Sequence, residues 1–236
     1  MAVLDEFLSP PFFYLSYKGL GMKRRKKHSK KDHMHRAAYI VLASLLGGLA
    51  ISGFSVWRGH QHDTDTHYRV VQYPTPNFDE NKVNEVRGVV LHHTAEPTVQ
   101  RSLDILTSVE RGVGTHVVID TDGTRYILCE PELVTFHAGK SVLNGRDSCN
   151  NFTIGIEFQG NTLERPLTDD QIKSGIEYLL PIIAKYHIPV ENIVTHEMVR
   201  QAYKRRYPNR KCYSKVDITQ KEYRRFMAEL RKAMEK

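Results

Sequence analysis

The stretch VRGVVLHHTAE (86–96) runs apolar and β-branched, then stops at two adjacent histidines, His92 and His93. Imidazole is the commonest metal ligand in proteins, so a metal is the first chemistry to consider. Successive residues of a strand face opposite ways, so only one of the pair can share a given site. A second short strand pattern, NIVTH (192–196), also ends in a histidine, His196. Open α/β sheets build their sites at the carboxyl ends of strands, where His196 could meet one of the pair. Downstream, KCYSKVDI (211–218) offers two further donors, Cys212 and Asp217. Two histidines and one carboxylate, with a fourth position left open to water, make a catalytic zinc arrangement. The plain alternative is that each histidine merely completes a sheet edge.

Several elements must position these residues. GVVLHH reads as a buried strand, and VQRSLDILTSV has helical spacing. THVVID and TRYILCE flank Asp122-Gly123, a turn signal, and so predict a hairpin. FTIGIEFQG alternates as a further strand. TDDQIKSGIEYLLPIIAKYH predicts a helix capped by Thr168 and kinked at Pro181. TQKEYRRFMAELRKAME predicts an amphipathic terminal helix behind Thr219, whereas the basic segment between His196 and Lys215 reads as a loop. Strands alternating with helices indicate an α/β fold with a largely parallel or mixed sheet.

The chain has 236 residues, 40% of them hydrophobic, enough for one sizeable domain and extra segments. Its net charge of +7 is concentrated in MKRRKKHSKKDHMHR (22–36). The uncharged AAYIVLASLLGGLAISGFSVW (37–57) follows, and about 20 apolar residues suffice to cross a bilayer as a helix. The expected organisation is a cytoplasmic basic tail over 1–36, a transmembrane anchor over 37–57, a polar linker over 58–74 and a folded domain over 75–236. Within the tail, residues 1–21 fit no element, and Met22 offers an alternative start. Cations ahead of the span place the folded domain on the outer side of the cell membrane, as a single-pass protein. The alternative is a signal peptide and secretion, but the apolar run is long and lacks an A-x-A site. The membrane flank accounts for the basic block, and no aromatic–basic interleaving supports nucleic-acid binding. Three cysteines (Cys129, Cys149, Cys212) are too few for a disulfide framework and read as small buried hydrophobes.

The segments PNFDE, VRGVVLHHTA, GVGTHVVIDTDGTRYIL, FHAGKS, CNNFTIGIEFQG and VTHEMV…KVD occur in that order. Together, over about 75–235, they resemble the zinc-dependent N-acetylmuramoyl-L-alanine amidases, a family that includes a phage lysozyme, AmpD and the peptidoglycan recognition proteins. The resemblance implies a single domain with a central mixed sheet flanked by helices, of the peptidoglycan recognition protein kind. It implies one zinc per chain, a peptidoglycan or muropeptide substrate and a monomer.

Carried over motif by motif, the first histidine of HHTA makes His92 the ligand and leaves His93 a structural role. His196 matches the second ligand. The third follows a lysine by two residues, which selects Asp217 through Lys215-Val216-Asp217 over Cys212. Glu157 in IGIEFQG matches the glutamate of the AmpD-type branch, and its apolar neighbours would raise its pKa toward the range of a proton shuttle. The lysozyme-type branch has a tyrosine where Thr115 stands, so Glu157 must carry the proton work. His116 and His137 are assigned to the substrate groove. Lys215 would stabilise an oxyanion. The chain departs from AmpD-like sequences at DITQ, where Pro-Gly is usual after the aspartate, and at Ser148, where those enzymes carry arginine. Loss of ligands in such a fold leaves a peptidoglycan-binding module without catalysis; this chain keeps all three.

Overall fold

Six consecutive buried residues, Gly88–His93, form an interior strand of the main sheet. The computed structural model describes residues 68–212 and 217–235. The 37–57 span, most of the expected linker and Lys215 lie outside them. Ten strands run in chain order: β1 Val70–Gln72, β2 Phe78–Val83, β3 Gly88–His93, β4 Val117–Ile119, β5 Arg125–Ile127, β6 Leu133–Thr135, β7 Val142–Leu143, β8 Arg146–Asp147, β9 Thr153–Phe158 and β10 Ile193–Thr195. Among the described residues, four α-helices accompany them: α1 Val99–Leu106, α2 Asp169–Tyr186, α3 His196–Arg206 and α4 Gln220–Met234. The main sheet has the order β1-β5-β4-β9-β3-β10. Only the β4–β5 pair is antiparallel, so the sheet is mixed, with the expected hairpin as its one reversal. Two small antiparallel pairs, β2–β6 and β7–β8, stand apart from it.

Strand alternation gives the sheet two unlike faces. On the back, Val89, Leu91, Ile154, Ile156 and Phe158 join Leu179, Phe226 and Leu230 of α2 and α4 in the main core. Full burial of each such side chain contributes about 1.5–3 kcal/mol. Gly175 lets α2 approach closely, because a Cβ there would lie 3.0 Å from the Phe226 ring and 3.2 Å from that of Phe158. The front face carries Val90, His92, Gly155 and Glu157, roofed by α1, α3 and the segment from β6 to β9.

The helix ends follow their caps. Thr168 and Gln171 form a capping box on α2, and Thr219 accepts from Glu222 N–H on α4, as their positions predict. Pro181 does not end α2, which continues to Tyr186. Two expectations need correction. Residues 70–72, placed in the linker, pair with β5 as an edge strand, because the alternation of VVQ is too short to register as a pattern. The segment after His196, read as a loop, begins with the eleven-residue α3. Its buried positions, Val199, Arg200 and Tyr203, are too few and too polar to stand out as a helical stripe.

Candidate metal centre

Register brings the first two functional side chains together. β3 and β9 run parallel with His92 opposite Glu157, so both point to the front face at the carboxyl end of the sheet. β10 pairs Thr195 with Leu91, which sets His196, the first residue of α3, beside His92. The two imidazoles lie 4.9 Å apart between ring centres. Thr195 caps α3 by accepting from Met198 N–H, so the strand-to-helix turn that presents His196 is held by its own cap. Asp217 arrives just ahead of α4 and is fully buried. His92, His196 and Asp217 offer one donor atom each, all within 4.8 Å of one another.

Distances to Asp217 mark which ring atoms face the centre. His196 Nε2 lies 3.2 Å from the Ala138 carbonyl. A carbonyl can only accept, so a neutral ring that ligates a cation through Nδ1 would hold its proton on Nε2. That Nδ1 stands 2.6 Å from Asp217 Oδ2, while His92 Nδ1 is 3.6 Å from the same oxygen. Two imidazole nitrogens converging on a buried carboxylate form a donor set that could hold a cation, which both Nδ1 lone pairs would then face. The nitrogen–oxygen composition suits zinc, with room for one more ligand. Glu157 Oε1 is 4.0 Å from His92 Nδ1, close to the centre without belonging to the three.

His93 faces the back of β3. Its Nδ1 accepts from Thr162 N–H (3.0 Å) and lies 2.9 Å from Thr162 Oγ1, which in turn accepts from Thr219 N–H. The second histidine of the pair thus ties the 160s loop to the start of α4, two residues beyond Asp217. His116 is fully buried. Its Nδ1 accepts from Gly155 N–H (2.9 Å) and its Nε2 donates to the Leu133 carbonyl (3.0 Å). Burial pulls its pKa down to about 4, so it sits neutral in the fold. His137 lies against His92, with Nδ1 3.3 Å from His92 Nε2. Burial first, and then the neighbouring His92, His116 and His196, hold its pKa well below the usual histidine value. Cys129 and Cys149 are buried thiols whose pKa values burial lifts to about 12 and about 11, which makes them inert.

A cleft of about 510 Å³ opens over the centre, lined by Glu157, His137, His196 and Thr94, with Val113 and Phe136 presenting apolar surface on its rim. Asn150, which the sequence reading did not single out, accepts from the backbone N–H groups of both His137 and Ala138 (3.2 and 2.7 Å). The only sign of it was the CNN of CNNFTIGIEFQG.

The structure thus sets a metal-competent triad at the strand ends of a mixed sheet. The family model described as N-acetylmuramoyl-L-alanine amidase matches residues 82–212, and the chain belongs to that family. Among curated relatives, it is 29% identical over 181 residues to the N-acetylmuramoyl-L-alanine amidase AmiD of Escherichia coli. That match takes in 69% of this chain and 60% of the relative, so the chain spans less than two thirds of that protein's length. It is 38% identical over 147 residues to the 1,6-anhydro-N-acetylmuramyl-L-alanine amidase AmpD of Haemophilus influenzae, covering 53% of this chain and 78% of the other. A crystal structure of a selenomethionine AmpD derivative superposes with a TM-score of 0.51 at 22% identity, over 67% of this chain and 93% of that one. At that identity the likeness speaks for the fold.

Proposed function

We propose that the chain is a zinc-dependent amidase that hydrolyses the bond between N-acetylmuramic acid and L-alanine in peptidoglycan or muropeptides. The observation that carries this is the convergence of His92 Nδ1, His196 Nδ1 and Asp217 Oδ2, with Glu157 in register beside His92. Family membership and the names of the two relatives supply the substrate class. Bound by the three side chains, zinc would supply Lewis-acid polarisation of the amide carbonyl and a lowered pKa for water. Glu157 takes the proton of the attacking water and returns it to the departing alanine amine. Its placing supports that role, since its carboxyl borders the cleft and is nearly buried. Lys215, two residues before Asp217 in sequence, is proposed to stabilise the oxyanion. Val113 and Phe136 on the rim suit the apolar faces of sugar and stem peptide.

The proposed setting is the outer side of the cell membrane, with 37–57 as the anchor. The basic block ahead of that span supports it. From there the domain would act on peptidoglycan near the bilayer. The test is a digest of intact peptidoglycan and of anhydro-muropeptides by the purified full-length chain, followed by mass spectrometry. New peptides beginning with L-alanine are expected, and chelation should stop their release. If zinc binds but neither substrate is cut, the reading fails.

A further inference from the structure

The segment FHAG was expected to meet substrate, yet its polar contacts run to the metal-binding histidines. His137 Nε2 lies 3.3 Å from the Thr153 carbonyl, which can only accept. The proton of the His137 ring is therefore on Nε2, and its Nδ1 is a lone pair. That lone pair stands 3.3 Å from His92 Nε2, so His92 must carry its own proton there. A neutral imidazole has one N–H and one lone pair, and the lone pair of His92 is thereby directed through Nδ1 to the centre. The next residue does the same for the other histidine, since the Ala138 carbonyl receives His196 Nε2–H.

Two adjacent residues thus set the tautomer and the ring orientation of both histidine ligands. Their own positions are determined from two sides. Asn150 Oδ1 accepts both backbone N–H groups, which holds the turn of chain that carries them. Below, Gly155 leaves the space the His137 ring occupies. A Cβ at Gly155 would lie 2.6 Å from His137 Cγ and 2.8 Å from its Nδ1. Gly155 has no positive φ, so this glycine is required by the ring above it and not by its backbone.

We infer that His137 and Asn150 are positioning residues of the metal centre: His137, with the Ala138 carbonyl, fixes His92 and His196 as Nδ1 ligands, and Asn150 holds that pair in place. The inference rests on the metal reading of the site proposed above, but not on which bond the enzyme cleaves. Groups that orient metal-binding histidines typically contribute 10–100-fold to metal affinity.

The experiment compares the full-length chain with His137→Ala, His137→Asn, His137→Gln and Asn150→Ala. Zinc dissociation constants come from chelator competition, and the visible spectrum of the cobalt(II)-substituted protein reports ligand geometry. Melting of the metal-free proteins checks folding. An asparagine Oδ1 falls where His137 Nδ1 stands, whereas a glutamine carboxamide reaches the place of Nε2. His137→Ala and His137→Gln should weaken zinc about 10–100-fold and alter the cobalt bands, with His137→Asn recovering most of the loss. Asn150→Ala should weaken zinc as well, since it releases both ligand partners. Zinc affinity that is unchanged in His137→Ala, or equal for Asn and Gln, overturns the inference. So does a rise in KM with metal affinity intact, which would return His137 to the substrate groove. If His137→Ala does not fold, the Asn–Gln contrast decides alone. A wild-type chain that takes up no metal overturns this inference together with the proposed function; one that binds zinc as described but cleaves no muropeptide overturns only the latter.

Discussion

The two faces of one sheet do opposite things with neighbouring residues. Behind β3 and β9, Leu91, Ile156 and Phe158 are packed against Leu179 and Phe226 and need no partner beyond contact. In front, one residue along each strand, His92, Gly155 and Glu157 face buried polar groups: His92 Nε2 meets His137 Nδ1, Gly155 N–H donates to His116, and Glu157 lies beside His92. The apolar face supplies the stability that the polar face uses, since a buried polar array contributes little net stability even when fully satisfied. His92 and His93 show the contrast most directly. One faces the candidate metal centre, and the other, turned away by the strand's alternation, links a loop to a helix.

Substitutions on either face should therefore fail in different ways. The largest separation is expected between the adjacent histidines. His92→Ala should abolish zinc binding, read by metal analysis, and with it all hydrolysis, while His93→Ala keeps its metal. Loss of zinc from His93→Ala alone would reverse the assignment of faces. On the back face, Phe226→Ala should lower stability by about 3–5 kcal/mol in denaturant unfolding, with zinc still bound one per folded chain. Glu157→Gln should do the converse, leaving the melting curve and zinc content near normal while turnover drops roughly 100-fold or more. Unchanged turnover would move the proton transfer to another group.

Smaller effects follow from the support around the centre. His93→Ala removes the contacts to Thr162 and should cost about 1–3 kcal/mol of stability. The pH dependence carries a sign that the front face sets. Burial holds His116 neutral in the fold, with its pKa pulled down to about 4 from the ordinary histidine value of 6.5. As pH falls from 6.5 toward 4 the unfolded chain takes up a proton that the folded chain refuses. Stability at this site is thus present above 6.5 and is lost on acidification, by up to about 3 kcal/mol at pH 4. Unfolding curves between pH 7 and 4 should show it, and an NMR titration of His116 that gives an ordinary histidine pKa would remove its cause.

Much of this architecture could be read from local pattern. The β-branched run of GVVLHH, the Asp122-Gly123 turn and the threonine caps at 168 and 219 are short-range signals. A strand's period of two or a cap's reach of three residues lies within a few positions of sequence. That His196 meets one of the pair His92 and His93 was also legible, because strands of a largely parallel sheet end on the same side; the choice of His92, and of Asp217 over Cys212, came from the family resemblance. The helix after His196 was not, since its polar sequence shows no stripe until Val199 and Tyr203 are seen buried.

By itself, then, the sequence determined which strands end in histidines and that two adjacent histidines must divide between two faces. Only the tertiary structure decided what His116 and His137 do. His137 reaches His92 across 45 positions and is seated by Gly155, and Asn150 holds it from a 3₁₀ turn on the far side of a hairpin. No local period encodes such contacts. They depend on where chain closure brings a carbonyl or a ring nitrogen within about 3 Å of its partner, and that distance is set by the packing of the whole sheet.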